Sequence, residues 1–262
     1  MKVKFLVAIT ALMSFISTDV MAWGTTGHRV VAEIAERNLS VKAKENLKKV
    51  IGNQKLAYFA NWPDFVKSDP RFKDNDSWHY LNLEANLSKE QCDEALEKSS
   101  EKNLYKKSLL LIDELKSKKV SLEQEQQNLY YLIHMIGDGH QPMHMGRPED
   151  LGGNKINVEW FGQHTNIHAV WDGKLVDFEK YSYTEYAEVL NILNTEEVKS
   201  IQTGLLKDWC FETHVIANEI YNSIQPGQKL KFEYHYKYKQ VVENQMLKAG
   251  LRLAKILNEI YS

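Results

Sequence analysis

Apolar residues recur at three- and four-residue spacings over most of the chain, in residues 29–38, 41–51, 104–115, 122–135, 196–224 and 242–261. A period near 3.6 gives each segment one face to bury. The expected fold is therefore all-α, a multi-helix bundle. One exception interrupts it: Lys155 to Trp160 alternate with period two and a turn-like stretch, Phe161 to Gln163, follows, which predicts a short β-hairpin. Six of the thirteen glycines lie from Gly137 to Gly162, five of them before the hairpin and alongside Pro142 and Pro148, so a helix ends there in an irregular loop. A chain of 262 residues can bury one sizeable core, and a single domain is expected over residues 23–262.

Residues 1–22 read as trafficking. Lys2 and Lys4 precede an apolar run over residues 5–16, and Val20, Met21 and Ala22 form a small-residue cleavage site. The run is short against the roughly 20 residues that a bilayer needs. Cleavage after Ala22, export, no membrane anchor after processing and a secreted or periplasmic location are expected, with the product a monomer. In an oxidising compartment the two cysteines, Cys92 and Cys210, point to one structural disulfide rather than to a metal site. The formal charge of −2 leaves no global basic field, so affinity for a polyanion must be local. The lysines of residues 98–119 read as a solvated helix face. The lysines and aromatics of residues 229–239 read first as a packed helix start, second as a surface on which a single strand could stack.

The chemistry lies in histidine and aspartate, whose N and O donors suit zinc at about 2.0–2.2 Å. His134 and Asp138 stand four apart, on one helix face, and His168 and Asp172 repeat the spacing. His144 follows a helix stop and can turn back; Asp64 and His79 lie upstream, in Trp62-Pro63-Asp64 and Trp78-His79-Tyr80. Each pair alone reads more readily as an imidazole hydrogen-bonded to a carboxylate than as two ligands; the weight lies in their number. Cleavage after Ala22 would also free the amine of Trp23, with a pKa of about 7.7–8.0. That amine and the residue's own carbonyl can chelate a metal, and Gly24 and Gly27 let His28 reach the same ion.

These landmarks together resemble the zinc-dependent, single-strand-specific nucleases and 3'-nucleotidases of the S-one/P-one type. The matching motifs are WGxxGH at residues 23–28, WPD ending at Asp64, WHY around His79, HMIGDGHQPMH at residues 134–144, GGN at residues 152–154 and HAVWD at residues 168–172. The resemblance implies a mainly helical fold, shared with zinc phospholipase C, and three Zn2+ ions. Asp64, His79, His134 and Asp138 would hold one; Trp23 and His28 a second, with Asp138 bridging; His144, His168 and Asp172 the third. His140, His164, His214 and His235 match no ligand position.

The implied activity is endonucleolytic hydrolysis of single-stranded DNA and RNA to 5'-phosphate products, with 3'-nucleotides as further substrates. Two metals can clamp attacking and leaving oxygens and acidify water, so the Asp138-bridged pair is expected to hold the nucleophile, Asp64 to orient it and the third zinc to stabilise the leaving 3'-oxygen. Lys67 stands where the family often has a phosphate-contacting arginine, keeping the charge without the bidentate fork. Tyr80 occupies the base-stacking position, Asn82 replaces an acidic base reader, and Asn154 is a further substrate contact. Two rival readings are a zinc-dependent phospholipase C, whose last ligand is usually Glu where this chain has Asp172, and a non-catalytic zinc-binding exported protein.

Overall fold

The computed structural model describes residues 23–262; the expected signal peptide lies outside the described residues. The chain runs through α1 (Thr25–Arg37), α2 (Val41–Ile51), α3 (Leu56–Phe59), α4 (Trp62–Phe65) and two 3-10 turns (Val66–Ser68, Lys73–His79). It continues with α5 (Lys89–Lys98), α6 (Leu104–Ser117), α7 (Leu122–Asp138), a 3-10 turn (Pro142–Met145) and the strands β1 (Asn157–Trp160) and β2 (Gln163–Asn166). Then come α8 (Ile167–Ala169), a π-turn (Val170–Lys174), α9 (Leu175–Asp177), α10 (Tyr183–Leu190), α11 (Thr195–Ile201), α12 (Leu206–Ser223), β3 (Lys229–Leu230) and α13 (Phe232–Tyr261). The fold is helical, as expected, with one small sheet. Ser40, Ser88, Asn103 and Ser121 start their helices by accepting an otherwise orphaned backbone N–H.

Helices α1, α7 and α13 form the centre. Val30, Val31 and Ile34 of α1 are wholly buried, packed towards α13 and α10, and each such side chain contributes about 1.5–3 kcal/mol. Gly250 permits the closest approach: a Cβ there would stand 2.6 Å from Ile34 Cβ. The lysines of residues 98–119 follow the expected pattern, since Leu104, Leu111 and Leu115 of α6 point inward while Lys116, Lys118 and Lys119 are exposed.

Three elements differ from expectation. The helix read over 196–224 is broken into α11 and α12, because the chain reverses at Gly204, whose φ of +84° no helix accepts. Helix α13 starts ten residues earlier than the apolar period suggested, so the basic, aromatic stretch is mostly its first turns: Tyr234 and Tyr238 are buried, Phe232 and Tyr236 exposed. The hairpin pairs Asn157 with Asn166 through Trp160 with Gln163, and gains a parallel third strand, β3, from a distant part of the chain.

One expectation is corrected: Cys92 on α5 and Cys210 on α12 are both free thiols. Burial pushes the Cys92 thiol up to about 11 and drives Cys210 in the same direction, which keeps both protonated and poor in the thiolate that disulfide exchange requires.

A buried polar network joins α7 to α13. His140 Nδ1 donates to Ile136 O (2.8 Å), Nε2 accepts from Arg252 (3.0 Å), and Arg252 donates to Glu212 (2.7 Å). Burial, then the Arg252 charge, push the His140 pKa from 6.5 to about 3. Above pH 6.5 neither folded nor unfolded chain carries the proton; between about 6.5 and 3 only the unfolded chain takes it up. Stability is therefore expected to fall as pH drops from 7 to 5, with His140 contributing up to about 1.4 kcal/mol per pH unit. Urea midpoints of chelator-treated protein measure this. His140→Gln should flatten the decline, and an equal slope in parent and variant would remove His140 as its source.

Candidate metal centre

Every side chain singled out for metal binding comes to one region, where the last turn of α7 meets the loop and turn that follow it. Helix α7 carries His134 and Asp138 on one face. His28 lies on α1 and its ring stacks on His134, centroids 3.8 Å apart. Asp64 sits in the single turn α4, directly after Pro63 in its first turn, and His79 ends the 3-10 turn Lys73–His79. His144 rides on the turn Pro142–Met145, His168 on α8 and Asp172 in the π-turn, an element that recurs at functional sites. Trp23 is wholly buried, its Nε1 donating to Gly137 O (2.8 Å), one residue from Asp138.

The donors form three groups able to hold an ion: His28, Asp64 and His134; His79, His134 and Asp138; His144, His168 and Asp172. Asp138 is fully buried and uses its two oxygens differently. Oδ2 faces His79 Nδ1 (3.1 Å) and His134 Nε2 (3.3 Å), whereas Oδ1 faces His28 Nε2 (3.3 Å). Asp172 faces His144 Nε2 at 3.5 Å and His168 Nε2 at 3.3 Å.

These separations discriminate between two chemistries. A charge-assisted N–H···O bond closes to about 2.7–2.9 Å, while two donors on one tetrahedral ion at 2.0–2.2 Å stand about 3.3–3.6 Å apart. Most of the observed spacings belong to the second kind. Among the described residues, His28 Nε2, Asp138 Oδ1, His144 Nε2 and His168 Nε2 are buried and make no hydrogen bond. Buried polar atoms are costly without a partner. A cation supplies the partner all four need, so the residues fit a metal.

The outward nitrogens agree. His134 Nδ1 donates to Ala60 O (2.7 Å), His144 Nδ1 to His79 O (2.5 Å) and His168 Nδ1 to Gly152 O (2.6 Å). A carbonyl can only accept, so Nδ1 carries the proton and Nε2 presents its lone pair inward. Gly152 earns its place here: its φ is +65°, and a Cβ would lie 2.4 Å from Met143 O. Burial holds His79, His134 and His168 below the usual imidazole range, hence neutral. For Asp64, burial opposes ionisation, but nearby positive charge, with Lys67 beside it, outweighs burial and keeps the carboxyl below its usual range. His144 goes the other way, raised by Asp138 and Asp172 against burial.

The clusters open onto a cleft of about 870 Å³, whose lining includes Asp64, Lys67, His79, Tyr80, Asn82, His144, Asn154 and His168. Lys67 Nζ lies 2.9 Å from Asp64 Oδ1 and 3.8 Å from Asp76 Oδ1. Tyr80 is 42% exposed on the wall. Asn154 Nδ2 donates to Leu151 O (2.8 Å), within its own loop. Sequence reasoning missed Phe65 and Leu151, which line the cleft while 58% and 54% exposed. Each adjoins a recognised motif, and that adjacency was the available signal. His140, His164, His214 and His235 fall outside the three groups.

A family model described as S1/P1 Nuclease matches residues 23–262. Among similar proteins, Endonuclease 3 of Arabidopsis thaliana is 27% identical, over 98% of this chain and 95% of its own length. Nuclease P1 of Penicillium citrinum is 25% identical over 91% of this chain and 98% of its own. Nuclease S1 of Aspergillus oryzae is 25% identical over 98% of both.

Proposed function

The chain belongs to the S1/P1 nuclease family, and from that premise we propose that it is an exported endonuclease that depends on three zinc ions. It would hydrolyse single-stranded DNA and RNA to 5'-phosphate products and remove phosphate from 3'-nucleotides. The observation that carries this reading is the set of three buried His and Asp groups, spaced for shared ions and opening on one cleft. Trp23, through a freed amine and its carbonyl, joins His28 and Asp138 in holding the second ion. Among the described residues no helix is long and apolar enough to cross a membrane.

A phosphodiester is anionic and resists attack. Bound in this site, zinc would acidify water towards neutrality and neutralise charge on the attacked and departing oxygens. The protein does the rest. Asp64, held ionised, orients the attacking water in line with phosphorus. Lys67 brings a cation to the phosphate at the cost of loosening its contact with Asp64. Tyr80 offers a ring to the base, and stacking tolerates every base. Asn82 and Asn154 line the same cleft with amides that can meet base or sugar. The leaving 3'-oxygen departs on the side of His144, His168 and Asp172.

A metal count on the processed protein, with a panel of single-stranded DNA, RNA, 3'-AMP and phosphatidylcholine, tests the proposal. Three zincs and turnover of the nucleic acids and 3'-AMP are expected. Turnover of the lipid alone would assign the chain to phospholipid chemistry, and three zincs with no turnover would make it a zinc-binding protein.

A further inference from the structure

Gln141 is wholly buried between the two segments that carry the third group of donors. Its Oε1 accepts the Met143 backbone N–H (2.6 Å), and its Nε2 donates to Asp172 Oδ1 (2.5 Å). Each contact fixes the other: a backbone N–H only donates and a carboxylate only accepts, so the amide has one orientation. One side chain thus caps the turn Pro142–Met145, which presents His144, and grips the carboxylate of the π-turn.

The grip has a geometric consequence. Asp172 Oδ1 faces His144 Nε2 at 3.5 Å and Oδ2 faces His168 Nε2 at 3.3 Å. Both distances depend on the plane of one carboxylate. Without a donor at Oδ1 that plane can turn, and the turn bearing His144 loses its cap in the same step. A side-chain amide spanning two ligand-bearing segments aligns them before any ion arrives. The remaining lone pairs of Asp172 still face the imidazoles.

We propose that Gln141 is a positioning residue for the third metal site, setting the carboxylate plane of Asp172 and the placement of His144 together. The proposal rests on the reading of His144, His168 and Asp172 as a zinc site. Groups that orient metal ligands are worth about 10–100-fold in metal affinity.

The test is a zinc titration of the processed protein against a competing chelator, for the parent, Gln141→Met and Gln141→Asn. Methionine keeps the length and loses both hydrogen bonds; asparagine stays polar but is one carbon too short to reach both partners. Third-site affinity should fall by about 10–100-fold in either variant, so that two ions remain at a free zinc level that holds three in the parent. Cobalt substitution should show altered absorption from one site only. A soluble variant that binds the third zinc within twofold of the parent overturns the proposal. So does loss of cooperative melting by both metal-free variants, which would make the amide a structural brace. A parent that binds no ion at His144, His168 and Asp172 defeats the site itself, which is a different result.

Discussion

Asp138→Asn is expected to lower hydrolysis of single-stranded DNA by at least about a thousandfold and to reduce the bound zinc from three ions to one. Loss of a single preorganised donor already costs 10²–10³ in turnover, and Asp138 serves two ions. Its two oxygens face different imidazoles, His79 and His134 on one side and His28 on the other. Asparagine keeps the shape but replaces one oxygen with an NH2 that cannot bind a cation, and it removes the charge from both sides. The third site, on His144, His168 and Asp172, shares no donor with Asp138 and should keep its ion. Melting of the metal-free protein separates this from misfolding: a cooperative transition should persist, since the substitution deletes a buried charge without opening a cavity. Three bound zincs with activity within tenfold of the parent would mean that Asp138 does not bridge.

Much of this site was legible because helical geometry converts sequence spacing into direction. His134 and Asp138 share a face at any i, i+4 spacing in a helix, so the end of α7 could be drawn before the structure was known. His144 was legible from the glycines and proline that stop α7 and turn the chain. What stayed hidden depends on partners far away in sequence. The residues around Asp138 do not indicate that one of its oxygens meets α1 and the other the turn Lys73–His79; only the family resemblance implied that bridge. Likewise, Gln141 looks like loop filler until Asp172, thirty-one residues on, lies 2.5 Å from its amide. The early start of α13 was masked because Lys231, Phe232, Tyr236 and Lys237 mix charge and aromatic rings on an exposed face, where packing imposes no apolar period. The cysteines were misread for another reason. Compartment chemistry permits a disulfide, whereas the structure leaves both thiols free and buried.

A protein that begins at Trp23 and one that carries Met-Ala before it should differ by one zinc and by more than about tenfold in turnover. The indole Nε1 donates to Gly137 O (2.8 Å), and the next residue, Gly24, donates its N–H to Asp172 O (2.5 Å). These two contacts clamp residue 23 between the last turn of α7 and the π-turn, on the side where His28 and Asp138 Oδ1 face each other. A free amine there has a lone pair and a pKa of about 7.7–8.0, so a cation can displace its proton near neutrality. Acylation delocalises the lone pair into a peptide bond and breaks the chelate, leaving the Trp23 carbonyl, His28 and Asp138 of the four proposed donors. Three donors without the chelate ring bind zinc more weakly than four. The extension leaves the hydrogen bonds of Trp23 and Gly24 intact, so the folded protein should melt as before and keep the ions that do not use residue 23. Zinc counts and single-stranded DNA turnover on the two purified forms measure the difference. Equal counts and equal rates would show that the ion beside His28 is held without the chain's amine, and Asp64, which stands in the same group as His28 and His134, would take its place as ligand.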